Sequence, residues 1–148
     1  MKVSTKGRYG LRSMIDLAVH SAGGHVALGS IAERQNISLN YLEQVFSTLR
    51  KAGLVKSVKG AQGGYILGDD PSNITIGRIL RALEGELSLV EDLDSKTHHD
   101  SRLQYCIKVN VWDKMTETLN QIVDNITLED MVNDYNKLNG TESQMYYI

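Results

Sequence analysis

The sequence predicts a mainly α chain: a winged helix-turn-helix with a small two-stranded β wing, followed by a long C-terminal dimerisation helix. Three observations carry that expectation. The stretch Leu28–Leu67 holds two short helical patterns, LGSIAERQNI and SLNYLEQVFSTLRKAG, then LVKSVKG, a glycine-rich turn and the apolar run GGYILG. Charge is segregated: residues 1–68 carry nine Lys/Arg against three Asp/Glu, a net of +6, and residues 69–148 carry seven against fifteen, a net of −8. Finally, Leu103, Ile107, Val111, Met115, Leu119, Ile122 and Ile126 form an apolar line longer than so small a winged-helix core can cover.

In chain order, MKVSTKGRYGLRSMIDLAVHSAGG reads as a basic arm running into an amphipathic helix with Leu11, Met14, Ile15, Ala18 and Ala22 on its buried stripe. Lys2, Ser4, Lys6, Arg8 and Tyr9 sit before or at the edge of that stripe, free to meet phosphates. Ile31, Ala32 and Ile37 bury the first helix of the motif, and Leu42, Val45, Phe46 and Leu49 bury the second. That leaves Asn40, Tyr41, Glu43, Gln44 and Ser47 facing outward, residue types suited to base edges in a major groove. The cap of this helix is Ser38 or Asn40; Asn40 with Glu43 resembles a capping box, so Glu43 is either a cap partner or a base reader. In the wing, valines alternate with Lys56, Ser57 and Lys59 as in a half-buried strand, and Gly60, Gly63 and Gly64 permit a tight reversal close to a partner. Thr75 caps a helix with Ile76, Ile79, Leu80 and Leu83 inward, and Thr127 caps a last one.

These patterns divide the chain into a winged helix-turn-helix domain (1–83), an acidic loop (84–102), the dimerisation helix with a following short helix (103–138) and a flexible tail (139–148). The dimer interface is expected at Leu103, Ile107, Val111, Trp112, Met115, Leu119 and Ile122. No signal peptide and no membrane-spanning apolar run is read, and a lone cysteine forms no internal disulfide; a cytoplasmic protein is expected. Walker, dinucleotide-glycine, Gly-x-Ser-x-Gly and His-Glu-x-x-His patterns do not occur, so no catalytic residues are expected and the chain is not read as an enzyme.

STKGRYGLRSMIDLA, SIAERQNISLNYLEQVFSTLRKAGLVKSVKGAQGGYILG, ITIGRILRALEG, the C-x5-W of Cys106 and Trp112, and NITLEDMV together resemble the Rrf-two-type winged-helix transcription regulators over roughly residues 2 to 133. The resemblance implies a homodimer held by crossed long helices, with recognition helices and wings on a palindromic site in double-stranded DNA. It places the DNA-facing positions at Lys2, Ser4, Arg8, Tyr9, Ser38, Asn40, Tyr41, Glu43, Gln44, Lys56, Lys59 and the Gly60–Gly64 turn. Cluster-binding members carry three cysteines before the long helix. Here Cys106 matches the last, counting back by six gives Asp100 and Asp94, and Val109 stands where some members have histidine. Since one thiol cannot hold an iron–sulfur cluster, no cofactor and no metal is expected within one chain, and His98 and His99 read as loop residues.

A cluster-free member with this tail resembles the family's repressors of cysteine-metabolism genes, which act in complex with cysteine synthase, itself responsive to O-acetylserine. The ending QMYYI resembles the isoleucine-terminated tail by which serine acetyltransferase enters that enzyme's active site, so Tyr146, Tyr147 and Ile148 are the expected partner-binding tail. The leading expectation is therefore a dimeric repressor of cysteine and sulfur metabolism promoters. The alternatives are thiol-redox sensing through Cys106, an iron–sulfur-type family regulator of other genes, or a tail-borne inhibitor of a metabolic enzyme.

Overall fold

A computed structural model describes residues 2–61, 63–90 and 101–146, with side chains described to residue 140. Among these residues the order is α1 (Thr5–His20), a 3₁₀ turn (Ser21–Gly23), α2 (Leu28–Gln35), α3 (Leu39–Lys51), β1 (Val55–Val58), β2 (Gly64–Leu67), α4 (Ile76–Glu84), α5 (Ser101–Ile107), a π turn (Lys108–Trp112), α6 (Asp113–Asp124) and α7 (Leu128–Tyr146). The fold is the expected winged helix-turn-helix, mostly helical with one two-stranded antiparallel sheet.

Helix starts follow local hydrogen bonding. Extended Ser4, Ser38 and Thr75 each accept a backbone N–H three residues on, from Gly7, Tyr41 and Arg78 at 3.1, 3.2 and 3.1 Å. Before α7 the box is reciprocal: Asp130 N–H donates to the Thr127 hydroxyl at 3.0 Å, and Thr127 N–H to the Asp130 carboxylate at 2.9 Å. Between α2 and α3 the chain reverses at Asn36, whose left-handed φ of 55° suits an asparagine and ends α2.

The core is one cluster. Met14 and Leu17 of α1, Ile31 of α2, Leu42, Val45, Phe46 and Leu49 of α3, and Ile79 of α4 are all at most 1% exposed. Ala32, Ile37, Ile76, Leu80 and Leu83 are buried as expected, while Leu11, Ile15 and Ala18 of the expected α1 stripe are half-buried against the core. Gly10 lets α1 approach α4 so closely that a Cβ there would lie 2.3 Å from Leu83.

Several boundaries differ from expectation. Because Ser4 caps it, α1 begins at Thr5, so Arg8 and Tyr9 sit on helix rather than on a free arm. Ala22 is exposed, since the 3₁₀ turn carries it off the stripe, and Leu17 takes its place in the core. Ser38, not Asn40, caps α3, so Asn40 is helical and Glu43 is no capping-box partner. In the wing, Leu54 and Val55 are buried together and Lys56 and Ser57 exposed together, so the alternation is not strict. The expected single long helix is interrupted by the π turn. The α7 backbone remains helical to Tyr146, past the expected stop near 138 and through most of the tail. Of the acidic loop, 91–100 lie outside the described residues.

Candidate nucleic-acid interface

The candidate recognition surface is built on α3. One face of the helix is sealed into the core, so its opposite face is held at a fixed angle to the domain. Asn40, Glu43, Gln44, Ser47, Thr48 and Lys51 line one open concavity along that face. Asn40, Glu43, Gln44 and Lys51 are exposed, and Ser47 and Thr48 half-buried. Amides, a hydroxyl and a carboxylate in a row offer the donors and acceptors that base edges demand. Leu39, absent from the expected set, is 45% exposed at the first turn, an apolar side chain at the tip of a polar face.

The wing is fixed relative to α3. Pairing runs Val55↔Leu67, Lys56↔Ile66, Ser57↔Tyr65 and Val58↔Gly64. A third segment joins at Val26, which exchanges hydrogen bonds of 2.8 and 2.9 Å with Tyr65. The Tyr65 ring then packs edge-on against Phe46 of α3 at 4.9 Å. Lys56 and Lys59 are exposed on this hairpin. The glycines are needed by the hairpin itself. Gly60 has a φ of 137°, a Cβ on Gly63 would lie 2.8 Å from the Val58 carbonyl, and one on Gly64 would lie 2.5 Å from the Val26 carbonyl. Only Gly60, Ala61 and Gly63 among the described turn residues are exposed to a partner.

At the start of α1 the expected DNA-facing residues divide. Lys2 and Arg8 are exposed. Ser4 is engaged within the chain: it caps α1, its N–H donates to Glu84 Oε1 at 3.1 Å and its hydroxyl also donates there. Tyr9 and Tyr41 are half-buried, edge-on to each other at 6.0 Å, and join α1 to α3. Arg12, also absent from the expected set, stacks over Tyr9 at 5.2 Å and donates to the Gln35 carbonyl at 2.6 Å, closing the C-terminus of α2. Ser38 is taken up by its cap.

Beneath this surface lies a buried carboxylate that the sequence pattern did not reveal. Asp16 of α1 is 4% exposed. It accepts from Arg34 at 2.7 and 3.0 Å and from Gln35 at 2.8 Å, while His20 Nδ1 stands 3.4 Å away. The hydrogen bond to Asp16 raises the Arg34 guanidinium above its ordinary value. The signal available was one acid inside an otherwise basic, apolar-striped helix.

The rod leaves the domain at α6. Arg81 of α4 grips Asp124 with two bonds of 2.7 Å and Asn120 with one of 2.6 Å, and Asn120 donates to the Leu87 carbonyl at 3.0 Å. Leu119, expected at the dimer interface, instead packs with Val123 and Ile126 against its own winged helix. Elsewhere along the rod, Ile107, Val111, Trp112, Met115 and Ile122 are between 36% and 56% exposed, and Leu103 is exposed as well. The grip of Arg81 holds the Asp124 carboxyl below its ordinary range. A carboxyl depressed in the folded state contributes stability present above its unfolded pKa and lost as pH falls through the folded one. In thermal unfolding followed from about pH 7 to about pH 3, Asp124→Asn is therefore expected to show a smaller acid loss than the parent.

Comparison with known proteins agrees with this geometry. The profile of the Rrf2 family, described as an iron-dependent transcriptional regulator, matches residues 3–134. The chain belongs to the Rrf2 family. It is 44% identical to the HTH-type transcriptional regulator CymR of Bacillus subtilis across the whole of both chains. The structure of CymR, described as the global cysteine regulator of B. subtilis, superposes with a TM-score of 0.76 over 90% of this chain and 97% of that one, at 45% identity. IscR of T. potens gives 0.73 over 91% and 88%, at 47% identity. This Rrf2 member is thus a DNA-binding transcriptional regulator of the winged helix-turn-helix type, and its relatives are regulators rather than enzymes. Among the described residues no helix is long and apolar enough to cross a membrane.

The iron in the family description does not fit this chain's donors. Its one cysteine, Cys106, is exposed on α5, and among the described residues no three His, Cys, Asp or Glu side chains gather as metal ligands. Thiolates hold iron–sulfur clusters, and a single one cannot. Asp94, His98, His99 and Asp100 lie outside the described residues, as do Tyr147 and Ile148 of the tail and the Tyr146 side chain.

Proposed function

We propose that this Rrf2 protein is a cytoplasmic, homodimeric repressor that reads palindromic promoter sites, probing each half-site with α3 and the wing. The observation that carries it is the rigid pairing of a polar-faced α3 with a lysine-bearing hairpin, both fastened to one core. Asn40, Glu43, Gln44 and Ser47 are the base readers and Leu39 a contact for a thymine methyl. Lys2, Arg8, Lys56 and Lys59, with the Gly60–Gly63 turn, hold phosphate or minor groove. Tyr9, Tyr41, Ser4 and Ser38 serve by shaping this surface, and Gly64 by letting the hairpin approach Val26.

The second copy is called for by the rod. Its exposed Ile107, Val111, Trp112 and Met115 form too large an apolar surface to leave in water, and two-fold pairing matches a palindrome. The likeness to CymR, described as a global cysteine regulator, supports target genes of cysteine and sulfur metabolism. Cysteine synthase, engaged by Tyr146–Ile148, is the proposed partner.

The test separates the two kinds of contact. Lys56→Ala with Lys59→Ala should weaken binding to every duplex and reduce the slope of log affinity against log salt by about 2. Gln44→Ala or Glu43→Ala should change which base pair is preferred, by about tenfold at one position, with the salt slope nearly unchanged. Equal losses on all sequences from all four changes would defeat the base-reading assignment. Pull-down of cysteine synthase by the full chain, lost on deleting Tyr146–Ile148 with promoter binding retained, tests the partner.

A further inference from the structure

The rod's direction is set at one small joint. Where α6 ends, Ile76 N–H donates to the Ile126 carbonyl and Leu128 N–H to the Ile74 carbonyl, both at 2.8 Å, stitching the end of α6 to the start of α4. One turn away, Arg81 holds Asp124 with its guanidinium fork and Asn120 with the same Nη2. Gly77 makes room for that grip: a Cβ there would stand 2.0 Å from Asp124 Oδ1 and 2.9 Å from Arg81 Nη1. Farther along the rod, Asn120 donates to the Leu87 carbonyl at 3.0 Å and the Thr116 hydroxyl accepts from Leu89 N–H at 3.4 Å.

We infer that Arg81, Asp124 and Gly77 are positioning residues that fix how far apart, and at what twist, the two recognition helices of the dimer stand. They thereby select the spacing between half-sites. The inference rests on the homodimer reading above. A fixed lever between the pairing surface and α3 turns any rotation at the joint into a displacement of α3 along the duplex. One base pair of added spacing moves a half-site by about 3.4 Å and turns it by roughly 35°. A rigid joint cannot follow that change; a loosened one can.

Gly77→Ala is the informative variant, because alanine favours the helix while its methyl displaces the Asp124 carboxylate. Arg81→Met removes the fork, and Arg81→Lys keeps the charge without it. Full-length protein is measured by fluorescence anisotropy on palindromes of the same half-site with the central spacer changed by one and two base pairs. Sedimentation reports oligomeric state, and thermal unfolding confirms folding. The parent should lose about tenfold or more per step from its optimum. Gly77→Ala and Arg81→Met should remain dimeric, keep the same half-site preference, and lose less than about threefold per step, with Arg81→Lys between. Dimeric variants with the parent's steep spacing profile overturn the joint's role while leaving the dimer standing. A monomeric parent would instead overturn the dimer reading, and the joint's role with it.

Discussion

Val111→Asp combined with Met115→Asp is expected to give a folded monomer whose affinity for a palindromic site falls by about a thousandfold or more. Both side chains are exposed in the single chain, 40% and 49%, so the substitutions remove no contact that the winged helix uses to fold. In a dimer the same positions would place carboxylates in a desolvated apolar seam, facing their own symmetry mates. Isolated charges buried in that way cost several kcal/mol each, enough to abolish pairing at micromolar concentration. A monomer then touches one half-site and binds little better than it binds random duplex. Unfolding temperature close to the parent's, halved mass by sedimentation and lost site-specific retardation are the three readouts. A variant that still sediments as a dimer, or that binds the palindrome undiminished as a monomer, sinks the proposal that this seam joins two copies.

The winged-helix half of the molecule was legible because its signals are local. Helical spacing placed Leu42, Val45, Phe46 and Leu49 in the core, and Thr75 and Thr127 announced helix starts by residue type alone. Those signals weaken where two elements meet. Nothing in the spacing of residues shows that Arg34 and Gln35 reach across to Asp16, because their partner lies on α1, on the far side of the 3₁₀ turn at Ser21–Gly23 that sets the angle between the two helices. Leu119 shows the same limit at the rod. Its place in the apolar line is correct, but the line curves past the domain, and the clamp at Arg81 turns that residue inward. The π turn at Lys108–Trp112 inserts a residue into one helical turn, which shifts the register of everything after it without leaving a mark in the hydrophobic pattern. Of the proposed DNA-facing set, the exposure of the polar and basic positions could be read from type. The hydroxyls of Ser4 and Ser38 could not, since a cap and a phosphate contact demand the same side chain. Lys56 and Ser57 are exposed together because the core covers the start of this stretch, at Leu54 and Val55, and leaves the rest of the hairpin open.

The largest loss of stability from a single polar substitution is expected at Arg34→Ala, about 3 kcal/mol and a fall in unfolding temperature of roughly 8 °C. The Asp16 side chain is 1% exposed, and among the described residues Arg34 supplies the only formal positive charge held against it by a hydrogen-bonded fork. Removing the guanidinium leaves a carboxylate inside the domain with Gln35 and the His20 ring as its neighbours, too few donors to replace water. The cost lies at the lower end for a broken buried pair because Arg34 itself is about a third exposed and water can reach part of the gap. Removing both partners should be milder: Asp16→Leu with Arg34→Leu leaves no orphaned charge, and the double variant should be more stable than Arg34→Ala alone. Chemical denaturation of the three proteins gives the comparison, and a double variant less stable than the single one would refute the account. Because the network fastens α1 to α2 and leaves the outer face of α3 untouched, the fraction of Arg34→Ala that remains folded should keep the parent's choice of half-site. Stability and recognition are thereby expected to separate at this residue, whereas at Gln44 recognition alone should change.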